Sequence, residues 1–255
     1  MKYSVILGRD VSQSTAKEIE RIESYINHSI RFEYLPEDNP HGFGYADFLA
    51  EPDRIVHSVT NLPQSAFEAN LLHESYHLCQ AHDGFPTTST IPQPDLNKND
   101  YEFLCRIGSA SASTILDLDV CDRIKSFGLS SEYFFNVRYQ QAISLNLEKL
   151  THRDDRVSVT IRLAGIILQN SRFQSQNVIK HYQVNNQNIT RKAQKLASKI
   201  KRCNHNTPIG CFECLTAMYD YLDIWDWQAI IFQDMVIQDS GLANKILEQY
   251  RNSPL

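Results

Sequence analysis

The chain has 255 residues, 42% of them hydrophobic and 22% charged, which is enough apolar material for one large domain or two modest ones. Its net charge of −5 argues against nucleic acid as the default partner, because phosphate binding needs a concentrated basic face. No stretch approaches the roughly 18 consecutive apolar residues of a membrane-spanning helix, so no membrane partner is expected.

Charge is unevenly spread. Residues 1–130 carry 10 Lys+Arg against 19 Asp+Glu, whereas residues 131–255 carry 15 against 11. Six cysteines (Cys79, Cys105, Cys121, Cys203, Cys211 and Cys214) lie mostly in apolar segments. A chain this long has no need of them as staples, so reduced thiols and a cytoplasmic setting are expected.

KYSVIL at the N-terminus is too short for a signal-peptide core and reads as a strand. SQSTAKEIERIESYINHS reads as an amphipathic helix with Ala16, Ile19, Ile22 and Ile26 three to four apart and Ser12 or Ser14 as N-cap. RFEYL is a second strand, PEDNPHGFG a turn-rich loop, and YADFLA and RIVHSVT further strands. Residues 64–80 read as a helix introduced by Pro63 and closed near Gly84. A Thr/Ser/Pro/Asn-rich loop is expected over 86–99, then a helix over 101–126 ending at Gly128. From 131 onward the pattern is mostly helical, with polar breaks at QVNNQN and CNHNTPIG. The fold class is therefore α+β, with a division near residues 128–131 between an N-terminal domain (1–130) and a helical C-terminal region (131–255).

The second helix carries HESYH, residues 73–77. Successive helical residues advance about 100°, so His73 and His77 lie about 40° apart and one turn along the axis, where two imidazoles can share one ion. Glu74 stands about 100° round from His73, beside such an ion rather than on it, the place of a general base. His82 falls on the far side and cannot join them. With Asp83 six residues after His77, the metzincin pattern is excluded. Phe67, Leu71 and Leu78 form one apolar side of the helix and Leu72, Tyr76 and Cys79 another, so the helix reads as buried. Burying three such polar groups without partners would cost several kcal/mol, and a metal ion removes that cost.

Catalytic zinc usually takes a third protein ligand. In STILDLDVCDRI, Asp117 shares a face with Ala110, Val120, Cys121 and Ile124 and points toward apolar surroundings. Asp119 and Asp122 fall on the opposite, more polar side, where solvated charge is the expectation. Asp117 is preferred, and Glu102, 25 residues after His77, is the rival.

RIVHSVT, the helix FEANLLHESYHLCQAHDGFP and the later ILDLDVCDRIKSFGL together resemble the ImmA/IrrE-type (IrrE N-terminal-like) metallopeptidases over roughly residues 30–130. The resemblance implies a minimal zincin: a small twisted sheet packed on the active-site helix, with an edge strand able to align a peptide. It also implies His73 and His77 as Zn²⁺ ligands, Glu74 as general base, an acidic third ligand mapping onto Glu102 or Asp117, and a protein or peptide substrate. Ser75 and Tyr76 depart from the usual small or aliphatic residue after the glutamate, and no helix-turn-helix module is evident. An inactive zincin that senses a ligand or binds a partner, and a hydrolase acting on a non-peptide bond, are the competing readings.

Other features have plainer explanations. Cys203, His205, Cys211 and Cys214 have zinc-like spacing, but CFECLTAMYDYL continues as an apolar helix in which Cys211 and Cys214 suit a core. The order of its cysteines and motif argues against a peptide deformylase. ITRKAQKLASKIKR holds six basic residues and no acids, read first as a solvated helix face, with docking to an acidic partner or DNA as the alternative. His41 and His57 are expected to be surface or packed histidines, and Trp225 and Trp227 to anchor the C-terminal helices. Tyr133, Arg138 and Tyr139 are the candidates for stabilising an oxyanion.

Overall fold

Ser12 fixes where the first helix begins. Its side chain accepts from the Thr15 backbone N–H and closes the N-terminus of α1 (Gln13–Ile26), which buries Thr15, Ala16, Ile19, Ile22 and Ile26. Asn27, in the left-handed region, ends it. The structure is a computed structural model that describes residues 2–35, 43–91, 97–134, 136–137, 153–169, 176–226 and 228–233. The strand expected over KYSVIL is confined to β1 (Val5–Ile6), which pairs antiparallel with β2 (Arg9–Asp10).

Three further strands form one sheet, β3 (Ile30–Tyr34), β4 (Gly44–Asp47) and β5 (Arg54–Ser58), in the order β3-β5-β4. β5 lies in the middle, parallel to β3 and antiparallel to β4. The parallel pairing follows the connection: α1 leads into β3, and the chain reaches β5 only after crossing β4. The expected loop over 36–44 lies almost wholly outside the described residues, as does His41.

Helix α2 (Gln64–His82) carries the HESYH motif and buries fourteen of its nineteen residues. Each fully buried Leu or Phe along it contributes about 1.5–3 kcal/mol. Two polar clamps fix its first turns. The Arg9 guanidinium donates to Thr60 O and Leu62 O, both at 2.8 Å, and stacks 4.1 Å over the Phe67 ring. The Glu68 carboxylate accepts from the Ser12 hydroxyl and backbone N–H, the Thr15 hydroxyl and Gln64 Nε2. It therefore sits at the positive N-terminus of α1 and joins the two helices. Gly84, at φ 76°, lies in the left-handed region and turns the chain away after α2.

Helix α3 (Lys98–Ser126) is a single unbroken element of 29 residues. Its last turns lie beside α2, where the Arg123 guanidinium is 3.9 Å from Asp83 and 5.9 Å from the Tyr76 ring centroid. The chain forms two compact units. The first holds the described residues up to Gly84 together with Val120–Tyr133 and Gln233; the second holds Phe85–Asp119 and the described residues from Phe134 to Phe232. The expected division near residue 130 was linear in sequence, whereas these units interleave, because α3 runs from one into the other.

The second unit is built from α4 (Arg153–Leu168), α5 (Gln176–Asn185), α6 (Gln187–Ile200) and α7 (Pro208–Leu222) with the first part of α3. Ile107, Ile115, Ile161, Leu196, Leu215, Met218 and Tyr219 belong to its core. Both polar breaks fall between helices as expected, and Asn186 and Thr207 serve there as N-caps. Two strands correct the expectation for this region. The stretch expected to be a loop forms β6 (Pro86–Thr90), and part of the expected helical region forms β7 (Gln228–Phe232), the two pairing antiparallel. Trp225 packs edge-on against Tyr219 and donates to Asp220; Trp227 lies outside the described residues.

The fold is mixed α+β with small sheets, in agreement with the composition of elements read from the sequence. Burial pushes the Glu68 carboxyl upward, and its hydrogen bonds from Ser12, Thr15 and Gln64 more than offset this, leaving it below the ordinary value. A carboxyl depressed in the folded state stabilises above its unfolded pKa, and that contribution fades as pH falls through and below about 4.3. Glu68→Gln is therefore expected to cost about 1–3 kcal/mol in urea unfolding at pH 7. The deficit should shrink toward pH 3, since the wild type then loses what the variant already lacks.

Candidate metal centre

The third turn of α2 brings two imidazoles together. His73 Nε2 and His77 Nε2 lie 3.2 Å apart, with ring planes at 76°. Both side chains are half-buried, while Glu74, Ser75 and Tyr76 between them are buried. The helical rise and 3.6-residue turn produce this pairing without any help from a loop.

Asp117 completes the set. It is 1% exposed, and its carboxylate oxygen, His73 and His77 offer donor atoms that all lie within 4.8 Å of one another. Glu102, the rival, is not part of this cluster: its side chain is 48% exposed and lies 4.0 Å from Lys98 one turn back. Asp119, expected to be solvated, is instead 5% exposed and lies near the buried Cys211. The reason is that α3 is enclosed around more of its circumference than a helix with one polar face. Asp122 is half-buried.

The donor chemistry and the spacing of the two imidazoles are those of a site that could hold a metal ion. Tetrahedral zinc with ligands at about 2.0–2.1 Å places neighbouring donors about 3.3 Å apart, close to the observed imidazole separation. Two nitrogens and one carboxylate leave a fourth position open, as in catalytic rather than structural sites. The tautomer is also set. His77 Nδ1–H donates to Gln80 Oε1 at 2.8 Å, which leaves the Nε2 lone pair directed at the cluster. Gln80 is fully buried, three residues after His77 on the same helix. Sequence reading missed it, although a polar side chain one turn beyond a histidine on an otherwise buried helix was the available signal.

Glu74 is held under the sheet edge. A Cβ at Gly44, the first residue of β4, would lie 2.5 Å from His57 O, 3.1 Å from Asn70 Nδ2 and 3.2 Å from Glu74 Cγ. The clash with the His57 carbonyl of β5 is what requires glycine here, and the Asn70 and Glu74 side chains of α2 crowd the same position. Asn70 fastens the same crossing by donating to Ser58 Oγ at 2.7 Å and to Phe43 O at 3.2 Å.

The remaining candidates disperse. His57 is buried on β5 and stacks on Tyr45 at 4.2 Å. Tyr133 packs edge-on against Phe43, next to Gly44; Arg138 and Tyr139 lie outside the described residues. Among the described residues the metal-type donors converge at His73, His77 and Asp117, with no such group at Cys203, His205, Cys211 and Cys214. Cys211 and Cys214 are core residues, and burial pushes the Cys211 thiol up to about 12 and the Cys214 thiol higher still. Protonated thiols of this kind pack as apolar groups.

Removing the Gln80 acceptor frees the His77 ring and its tautomer. Gln80→Leu is expected to weaken zinc binding about 10–100-fold in a competitive chelator titration, with helix content unchanged. An unaltered affinity would show that the ring needs no such support.

Comparison of the chain with protein-family models, with curated proteins and with solved structures finds no match, so its resemblance to a family rests on its own motif residues.

Proposed function

We propose that this chain is a zinc-dependent metallopeptidase of the ImmA/IrrE-like kind, built as a minimal zincin and acting on a peptide bond in a protein substrate. The observation that carries the reading is the convergence of His73, His77 and Asp117 immediately beside a buried glutamate. Two histidines one turn apart account for a metal; Glu74 in the position between them accounts for catalysis, since a pure binding scaffold has no use for a base there.

When bound, zinc supplies Lewis acidity, polarising a carbonyl and bringing the acidity of water toward neutrality. The protein's own groups do the rest. Glu74 accepts the proton of the attacking water and returns it to the departing amine, so that one carboxylate serves as base and then as acid. Gln80 holds the His77 tautomer, and Asp117 contributes the negative charge that balances a dication against two neutral imidazoles. Among the described residues β4 pairs on one side only, with β5. An extended peptide added along its free edge would pass Gly44, and through it Glu74.

The no-membrane reading is supported to this extent: no described helix is long and apolar enough to cross a membrane.

The direct test is Glu74→Gln assayed with the zinc-loaded protein on a mixed peptide library, with products read by mass spectrometry. Wild type is expected to cleave, and the variant to lose about 10²–10⁴ in rate with zinc still bound. Equal rates in the two proteins, or no cleavage by either, would refute the assignment of Glu74 as a peptidase base.

A further inference from the structure

From Arg156 to Phe212 the sequence runs for 57 residues with ten Lys and Arg and no Asp or Glu. At the chain's own frequency of 30 acids in 255 residues, about seven would be expected in a stretch of that length. Arg172 lies outside the described residues; the other nine cations (Arg156, Arg162, Lys180, Arg191, Lys192, Lys195, Lys199, Lys201 and Arg202) are all exposed. A chain with net charge −5 has thus cleared one contiguous stretch of every carboxylate while keeping its cations in water.

The densest part is α6. Ile189, Thr190, Ala193, Leu196, Ala197 and Ile200 form its buried stripe. At about 100° per residue, Arg191, Lys192, Lys195 and Lys199 fall within an arc of about 100° on the opposite side. Asn188, Gln194 and Ser198 fill the rest of that exposed face, so it holds only cations and neutral polar groups. Lys201 and Arg202 extend it past the helix end. None of these six cations is paired with a carboxylate among the described residues; Arg191 reaches Asn188 at 3.5 Å and Lys199 lies 5.8 Å over the Tyr221 ring.

We propose that the outer face of α6 is a docking surface for the phosphate backbone of duplex DNA, bound without sequence preference. Cations at i, i+4 and i+8 stand about 6 Å apart along a rigid axis, and the roughly 12 Å they span faces three to four phosphates of one strand at about 3.4 Å of rise each. The chemistry favours this occupant over others. A protein partner or a lipid surface is gripped through apolar anchors at the centre of the contact, and α6 exposes no apolar side chain. A row of unpaired cations without such anchors matches a polyanion that is bound by counterion release. The surface is independent of the metal centre, which lies on α2 and α3.

Fluorescence anisotropy of a labelled mixed-sequence duplex of roughly 30 base pairs, titrated with the full chain, tests the proposal. Four phosphate contacts predict a log–log salt slope of about −3 to −4 and a loss of about 100-fold in affinity between 50 and 200 mM salt. The triple variant Lys192→Gln, Lys195→Gln, Lys199→Gln should bring the slope to about −1 with unchanged circular dichroism, while Lys17→Gln on α1 leaves binding as in wild type. No anisotropy change at 50 mM salt, or a triple variant that binds like wild type, would overturn it. So would binding to poly-L-glutamate or to vesicles of phosphatidylserine as tight as to the duplex.

Discussion

Helix α2 is enclosed on almost every side, yet its middle carries two imidazoles and a carboxylate, and the rest of the site depends on that conflict being resolved. A buried polar group costs a few kcal/mol unless it is partnered, and here the buried Glu74 lies between two half-buried imidazoles. The chain resolves part of it internally. Gln80 takes the outer nitrogen of His77, and among the described residues the buried Asp117 carboxylate is the third donor within 4.8 Å of the two imidazoles. The two Nε2 atoms lie 3.2 Å apart, and the donor atoms of His73, His77 and Asp117, all within 4.8 Å of one another, could hold a metal ion.

Such a centre needs a helix that does not drift, and the polar clamps at the ends of α2 serve that purpose. Arg9 and Glu68 pin its first turns to the N-terminal hairpin and to the start of α1. Asn70 ties the next turn to β5 and to the approach of β4. Tyr76 donates to Glu18 on α1, and Arg123 reaches Asp83 from the end of α3. The glycine at position 44 lets the sheet edge approach closely enough to cover Glu74. Each contact is modest alone. Together they hold α2 from both ends and from the side, as expected of a site carried on rigid elements.

Much of this was legible in the sequence because it is local. Ser12 as a cap, the three-to-four spacing of isoleucines in α1, and the burial of α2 on two sides all follow from helical periodicity, and so does the facing of His73 and His77. Asp117 was preferred from the same wheel because its face is apolar, and the structure brings it within 4.8 Å of the two imidazole donors. The failures have a common physical origin in contacts between distant parts of the chain. Strand β6 looked like a loop because its threonines are polar, and it becomes a strand only by pairing with residues more than 130 positions away. Strand β7 was hidden in an apolar run that a helix could equally have used. Asp119 was assigned to solvent because one helix wheel cannot show neighbours from α7. Gln80 was passed over because amides are usually exposed, and its partner, not its type, gives it a role.

The central claim is that His73, His77 and Asp117 hold one zinc ion between α2 and α3. The measurement that bears on it most directly is zinc per chain by elemental analysis after reconstitution, in wild type and in His73→Ala, Asp117→Ala and Glu102→Ala. One zinc per chain in wild type and in Glu102→Ala, lost in His73→Ala and in Asp117→Ala, is the predicted result. Retention in Asp117→Ala together with loss in Glu102→Ala, or no zinc in wild type, would contradict the account.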